Sequence, residues 1–160
     1  MINSNAIVEI NKKNLLYNYQ LFKKIAKKSI VAATIKANAY GLGYREIFTI
    51  LFKEGCRHFF LATTEEGIDV RKLNKKVNIY ILNGLEGNEL KIFSENNLIP
   101  ILNSKEEFYI LNKNVNLKKI KFGMHIETGL NRLGINLKEI EKNLIKEIKL
   151  EILLSHLASP

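Results

Sequence analysis

The sequence predicts an α/β fold in which helices cover a mostly parallel sheet. Three observations predict it. Short apolar, β-branched runs alternate with longer amphipathic ones along the chain. The runs after the first are apolar over most of their length, as strands buried on both faces are. Their starts, near residues 29, 57, 77, 98, 120 and 150, recur at the roughly 20–30-residue spacing of βα units.

The elements follow in order. Ala6–Ile10 reads as a strand. Asn11 can cap a helix to about Lys28, because Leu15, Tyr19, Phe22 and Ile25-Ala26 fall at helical spacing. Ser29–Lys36 is a near-continuous apolar strand that ends in the Gly41-Leu42-Gly43 turn. Tyr44–Glu54 is a helix with Ile47, Ile50 and Leu51 on one face and Gly55 past its end. Arg57–Thr63 is a strand, and Thr64–Leu73 a helix capped by Thr64 with Glu65 and Glu66 in its first turn. Val77–Leu82 is a strand and Glu86–Asn96 a helix. Leu98–Leu102 is a strand; Ser104–Leu111 is a helix with Glu107 at the capping-box spacing. Ile120–Glu127, a helix over Leu137–Lys146 and a final strand over Leu150–Leu157 complete the pattern. Without a linker, residues 1–160 are expected to form one domain.

Two architectures fit this periodicity. An open, doubly wound sheet accommodates six strands, whereas a (β/α)8 barrel needs eight and ~250 residues. Both place the active surface at the carboxyl ends of the strands.

Composition narrows the function classes. The 160 residues are 46% hydrophobic and 26% charged, with only 2 Pro and 9 Gly, as in a soluble globular chain. A single cysteine, Cys56, excludes an internal disulfide framework and fits a reducing compartment. No basic stretch followed by an apolar run opens the sequence, so no signal peptide is expected, and unbroken apolar runs of four residues such as Ile30–Ala33 are too short to span a membrane. A cytoplasmic location is therefore expected. The net charge of +9 comes from 21 scattered Lys against 4 Arg, and it accompanies 22 Ile and 19 Asn. That combination points to an AT-rich coding sequence rather than a nucleic-acid surface, and neither nucleic-acid binding nor a metal site is expected.

Three clusters fall at strand ends. Lys36 closes an apolar strand, where partial desolvation favours the neutral, nucleophilic amine that condenses with carbonyl groups. Small residues and glycines follow it, and Tyr40 can offer a phenolic hydroxyl to an anion. At the fifth of the strands after Ser29, alternation puts His125 and Glu127 on one face, and Arg132 in the following loop can bind an anion. At the sixth, Ser155-His156-Leu157-Ala158 brings a second histidine. Each cluster alone is explained by ordinary structure. Together on one face they suggest carbonyl chemistry at a lysine.

These residues resemble a known family. Ile35-Lys36-Ala37-Asn38-Ala39-Tyr40-Gly41-Leu42-Gly43 looks like the pyridoxal-phosphate motif of the alanine racemases. Val8-Glu9-Ile10-Asn11 is similar to their start, Glu127-Thr128-Gly129-Leu130-Asn131-Arg132-Leu133-Gly134 to their second motif and Ser155-His156-Leu157-Ala158 to their third. The resemblance implies a partial (β/α)8 TIM barrel of about six of the eight parallel strands, with an N-terminal strand and helix and without the C-terminal β domain. It implies pyridoxal 5'-phosphate as cofactor, with Lys36 its covalent anchor and one of two bases. It places Tyr40 on the cofactor phosphate, His156 against the pyridine ring and Arg132 near the substrate carboxylate. The implied reaction interconverts L- and D-alanine for cell-wall peptidoglycan precursors, by a homodimer or with a complementing C-terminal chain.

The departures carry expectations too. The last two barrel strands, the arginine expected at the pyridine nitrogen and the β domain that supplies the tyrosine base are missing. His125 stands where many members have a lysine that becomes carbamylated, and Glu127 where Asp is usual. The stop at Pro160 reads as a truncation or frameshift. The chain alone is thus expected to be inactive or dependent on a second chain. A second reading is a non-catalytic pyridoxal-phosphate-handling protein on a related barrel.

Overall fold

The computed structural model describes residues 7–113, 120–140 and 150–158. Helix α1 (Lys12–Ala26) opens on Asn11, whose side chain accepts the amide of Asn14 at 3.1 Å. There follow β1 (Ala33–Thr34), α2 (Lys36–Tyr40), α3 (Tyr44–Lys53), β2 (His58–Leu61), α4 (Thr64–Leu73), β3 (Asn78–Ile81) and α5 (Leu90–Glu95). Then come β4 (Ile99–Leu102), α6 (Lys105–Lys113), β5 (Phe122–Ile126), a 3₁₀ turn (Leu137–Glu139) and β6 (Leu150–Ser155).

All neighbouring strands are parallel, and the sheet order is β1-β2-β3-β4-β5-β6. That order decides between the two architectures. A doubly wound sheet reverses strand order at a switch point, whereas a barrel adds each strand on the same side of the last. The chain therefore builds about six of the eight strands of a (β/α)8 barrel.

Strand alternation sends side chains to two separate cores. Phe59, Leu61, Ile79, Ile81 and Leu102 face the helices and join Ile47, Phe48, Leu51, Val70 and Phe93. Tyr80, Ile99 and Ile101 face the concave side with Phe60, Leu82, Ile152 and Leu154. The Phe60 and Tyr80 rings stack there at 4.5 Å. This apolar layer forms the floor beneath the strands' carboxyl ends.

Four expectations need correction. Residues 7–10 form no strand: Ile7 is 92% exposed, and among the described residues no strand lies alongside to form a ladder with it. The first long strand shrinks to Ala33–Thr34, because the chain leaves extended geometry at Ile35. The cap of α4 is Thr63, one residue earlier than read. The helix expected over Glu86–Asn96 begins only at Leu90. Of the helix expected over Leu137–Lys146, the 3₁₀ turn is seen, and residues 141–146 lie outside the described residues. Among the described residues, no helix is long and apolar enough to cross a membrane.

Candidate active site

The chain after β1 takes an uncommon course. Ala37, Asn38, Ala39 and Tyr40 all have φ between +50° and +55°, so α2 is a turn of left-handed helix. That conformation costs roughly 1–2 kcal/mol per non-glycine residue, and its persistence requires compensation from around it. Hydrogen bonds run from Ala39 N to Ile35 O, from Gly41 N to Ala37 O and from Gly43 N to Asn38 O. The Asn38 side chain accepts the amide of Tyr44 at 2.9 Å and so starts α3. The Glu66 carboxylate accepts the amide of Ala37 at 2.6 Å with one oxygen and that of Ala62 at 2.8 Å with the other. Glu66 is also the partner of Thr63 in the capping box of α4. One carboxylate thus joins the end of β2 to the residue after Lys36.

The result is that Lys36 and Tyr40 both line one cavity of about 540 Å³ at the carboxyl edge of the sheet. His125, Arg132 and His156 line it from the other side, and Phe60, Leu82 and Leu154 form apolar walls. Lys36 is half-buried. Tyr40 is 63% exposed, so it is a wall of the cavity and not a buried core aromatic.

The far wall is built by the loop after β5. Glu127 N donates to Ile135 O and Ile135 N to His125 O, which folds the loop back onto its own strand. Gly134 permits the close approach: at its φ of +115°, a Cβ would lie 2.7 Å from the Glu127 nitrogen. The loop amides, Asn131's first and Gly129's next, hold the exposed Glu127 carboxyl below its ordinary value. Glu127 therefore shapes the loop and, unlike His125, does not line the cavity. Arg132 projects from this loop, and its Nη2 donates to Nδ1 of His156 at 3.0 Å. The Thr128 hydroxyl donates to the backbone carbonyl of His156. His125 is only 4% exposed, and its Nδ1 lies 3.1 Å from Oδ1 of Asn103. Burial lowers the His125 imidazole below the usual histidine value.

Of the strand-end residues read from the sequence, Lys36, Tyr40, His125, Arg132 and His156 line this cavity and Glu127 does not. Glu66 and Asn103 were missed as parts of the site. For Glu66 the signal was available, since Thr63-x-x-Glu66 spells a capping box. Asn103 left no comparable trace.

A lysine just past a strand end thus lines one cavity with an arginine–histidine pair at the mouth of a partial (β/α)8 barrel. Comparison with known proteins assigns the chain to a family. Residues 10–160 match the family model for the alanine racemase N-terminal domain, and the chain belongs to that family. Alanine racemase of Rickettsia africae is 42% identical over 159 residues, 94% of this chain and 45% of the relative. That of Rickettsia prowazekii is 41% identical over 160 residues, 95% of this chain and 40% of the relative. Among solved structures, alanine racemase from Bartonella henselae with covalently bound pyridoxal phosphate superposes with a TM-score of 0.85 at 29% identity, covering 94% of this chain and 46% of that one. The biosynthetic enzyme of Pseudomonas aeruginosa gives 0.80 at 26% identity, over 92% of this chain and 42% of that one. The chain thus spans less than half the length of these relatives.

Proposed function

We propose that this chain is the cofactor-holding barrel part of a pyridoxal-phosphate-dependent racemase of alanine. One observation carries the reading. The half-buried amine of Lys36 opens on the same cavity as Tyr40, Arg132 and His156. The donor set suits the cofactor's chemistry: an amine for an aldehyde, a phenol and a guanidinium for anionic groups, and an imidazole beside a flat ring. Alanine as substrate rests on the relatives' names alone.

When bound, pyridoxal phosphate supplies an electron sink for the carbanion at an amino acid's α-carbon. The chain's own residues would do the rest. Lys36 Nζ would anchor the cofactor and then hold or release the proton on one face of the α-carbon. The Tyr40 hydroxyl would donate to the phosphate. His156, oriented by Arg132 and by Thr128, would lie against the ring, and Arg132 would bind the substrate carboxylate. Tyr40 and Arg132 are both exposed, so water must be excluded by parts of the family's architecture beyond these six strands. We place the second proton donor there too, in the same polypeptide or in a second one, together with the dimer contacts. D-alanine for peptidoglycan precursors in the cytoplasm is the corresponding role.

The test is to incubate the protein with pyridoxal phosphate, reduce with borohydride and map the adduct by mass spectrometry. The expected result is modification at Lys36, abolished in Lys36→Ala. No adduct at Lys36 overturns the reading. With the remaining family architecture supplied, alanine racemisation is expected. An adduct without racemisation there would favour a non-catalytic cofactor-handling role.

A further inference from the structure

We propose that Asn103 is a positioning residue of the cavity: it fixes His125 as the Nδ1–H tautomer, so that Nε2 faces the cavity as a neutral hydrogen-bond acceptor. The argument begins with the amide of Asn103. Its Nδ2 lies 2.8 Å from Leu82 O and 2.9 Å from Ile101 O. Both partners are carbonyl oxygens, which only accept, so this atom must be the NH₂ and the amide cannot be flipped. Oδ1 is then the atom 3.1 Å from Nδ1 of His125. A carbonyl oxygen has no proton to give, so Nδ1 carries it. The Asn103 backbone is itself held, its amide donating to Glu107 Oε2 at 3.0 Å.

The other ring nitrogen has a different fate. Among the described residues, Nε2 of His125 makes no hydrogen bond, and no buried side-chain nitrogen or oxygen there lacks a partner. Nε2 is therefore reached from the cavity that His125 lines. The ring as a whole is 4% exposed, and Arg132 stands at the same cavity. Burial, the strongest influence, opposes a second proton on the ring, as do His156 and Arg132, and together they outweigh the Glu127 carboxylate, which favours one. A fixed acceptor at this wall favours an N–H or O–H donor and disfavours the oxygens of a carboxylate or phosphate. The wall thereby complements the hydroxyl of Tyr40 and the guanidinium of Arg132, which take anionic groups. That assignment of partners rests on the cofactor reading above; the tautomer does not.

The experiment is ¹⁵N NMR of the protein labelled at its 3 histidines, with His125→Gln identifying the His125 signals. At pH 7 the expected pattern is a protonated Nδ1 and an unprotonated Nε2. In Asn103→Asp, the carboxylate is expected to draw a second proton onto the ring and shift Nε2 to the protonated position. In Asn103→Leu, the proton is expected to leave Nδ1 for Nε2. An Nε2–H tautomer or an imidazolium in the unmodified protein overturns the proposal, as does a His125 pattern unchanged in a folded Asn103→Asp or Asn103→Leu protein. Should neither variant fold, the unmodified protein's pattern decides alone. Failure of the Lys36 adduct would leave this result standing, and a wrong tautomer would leave the adduct untouched.

Discussion

The carboxylate of Glu66 accepts the backbone amide of Ala37 at 2.6 Å, across 29 residues of sequence. Its second oxygen accepts the amide of Ala62. Both oxygens are thus committed to N–H donors, and the one on Ala37 fixes the residue directly after Lys36.

Glu66→Gln should break this arrangement, because the amide has one acceptor oxygen and turns its NH₂ toward the other donor. The expected loss is about 1–3 kcal/mol of stability, read from urea denaturation. Slower formation of the Lys36 adduct should accompany it under conditions where the variant is folded. An unchanged denaturation midpoint would refute the role given to Glu66.

Gly134→Ala tests the loop after β5. The new Cβ would meet backbone atoms, the Glu127 nitrogen at 2.7 Å and the Ile126 carbonyl carbon at 2.9 Å, and backbone yields less than a flexible side chain. Together with the positive φ, the expected cost is about 2–4 kcal/mol. Amide exchange should quicken at Glu127 and Ile135, whose hydrogen bonds close the loop. Equal protection in the variant would count against this account.

Most strands were legible because runs of apolar aromatic or branched residues stand out, such as those around Phe59–Leu61 and Ile99–Leu102. Their ends were less legible. The left-handed turn at 37–40 follows from hydrogen bonds to Glu66 and within 35–43, and only Asn38 and the flanking glycines hint at it. The Lys36, Tyr40, Arg132 and His156 grouping was readable because strand-end positions converge in any parallel sheet. Asn103 was not readable, since it meets His125 only through the register that sets β4 beside β5. The Ile7–Ile10 run shows the converse: a strand-like pattern with no pairing partner among the described residues remains exposed.

Arg71 offers a prediction away from the cavity. It is buried, and its guanidinium donates to the carbonyls of Asn96 at 2.8 Å, Asn97 at 2.7 Å, Val77 at 2.9 Å and Asn74 at 3.2 Å. One side chain therefore closes the end of α4 onto the turn between α5 and β4. Arg71→Lys brings a shorter reach and a single nitrogen, and it cannot serve the buried Val77 carbonyl and its three part-buried neighbours together. A loss of about 2–4 kcal/mol is expected, without loss of the Lys36 adduct in the folded variant. A thermal shift within error of the unmodified protein would contradict the accounting.

Glu107 sets a pH dependence. Its carboxyl is raised from 4.5 to about 7, chiefly by burial, against the opposing hydrogen bonds from the amides of Asn103 and Leu85, with Glu106 nearby adding to the rise. The folded state thus binds this proton more tightly than the unfolded chain does. The resulting stabilisation is complete below about pH 4.5 and is lost as pH rises through about 7. Solvent reaches part of the group, so the change is of order 1 kcal/mol rather than the full linkage value. Glu107→Gln carries no titrating proton, and its stability should vary less with pH across this window. The measurement is the urea midpoint of both proteins at intervals from pH 4.5 to pH 8. Parallel pH profiles for the two would show that the carboxyl titrates alike in the folded and unfolded states, contrary to its buried position behind Asn103.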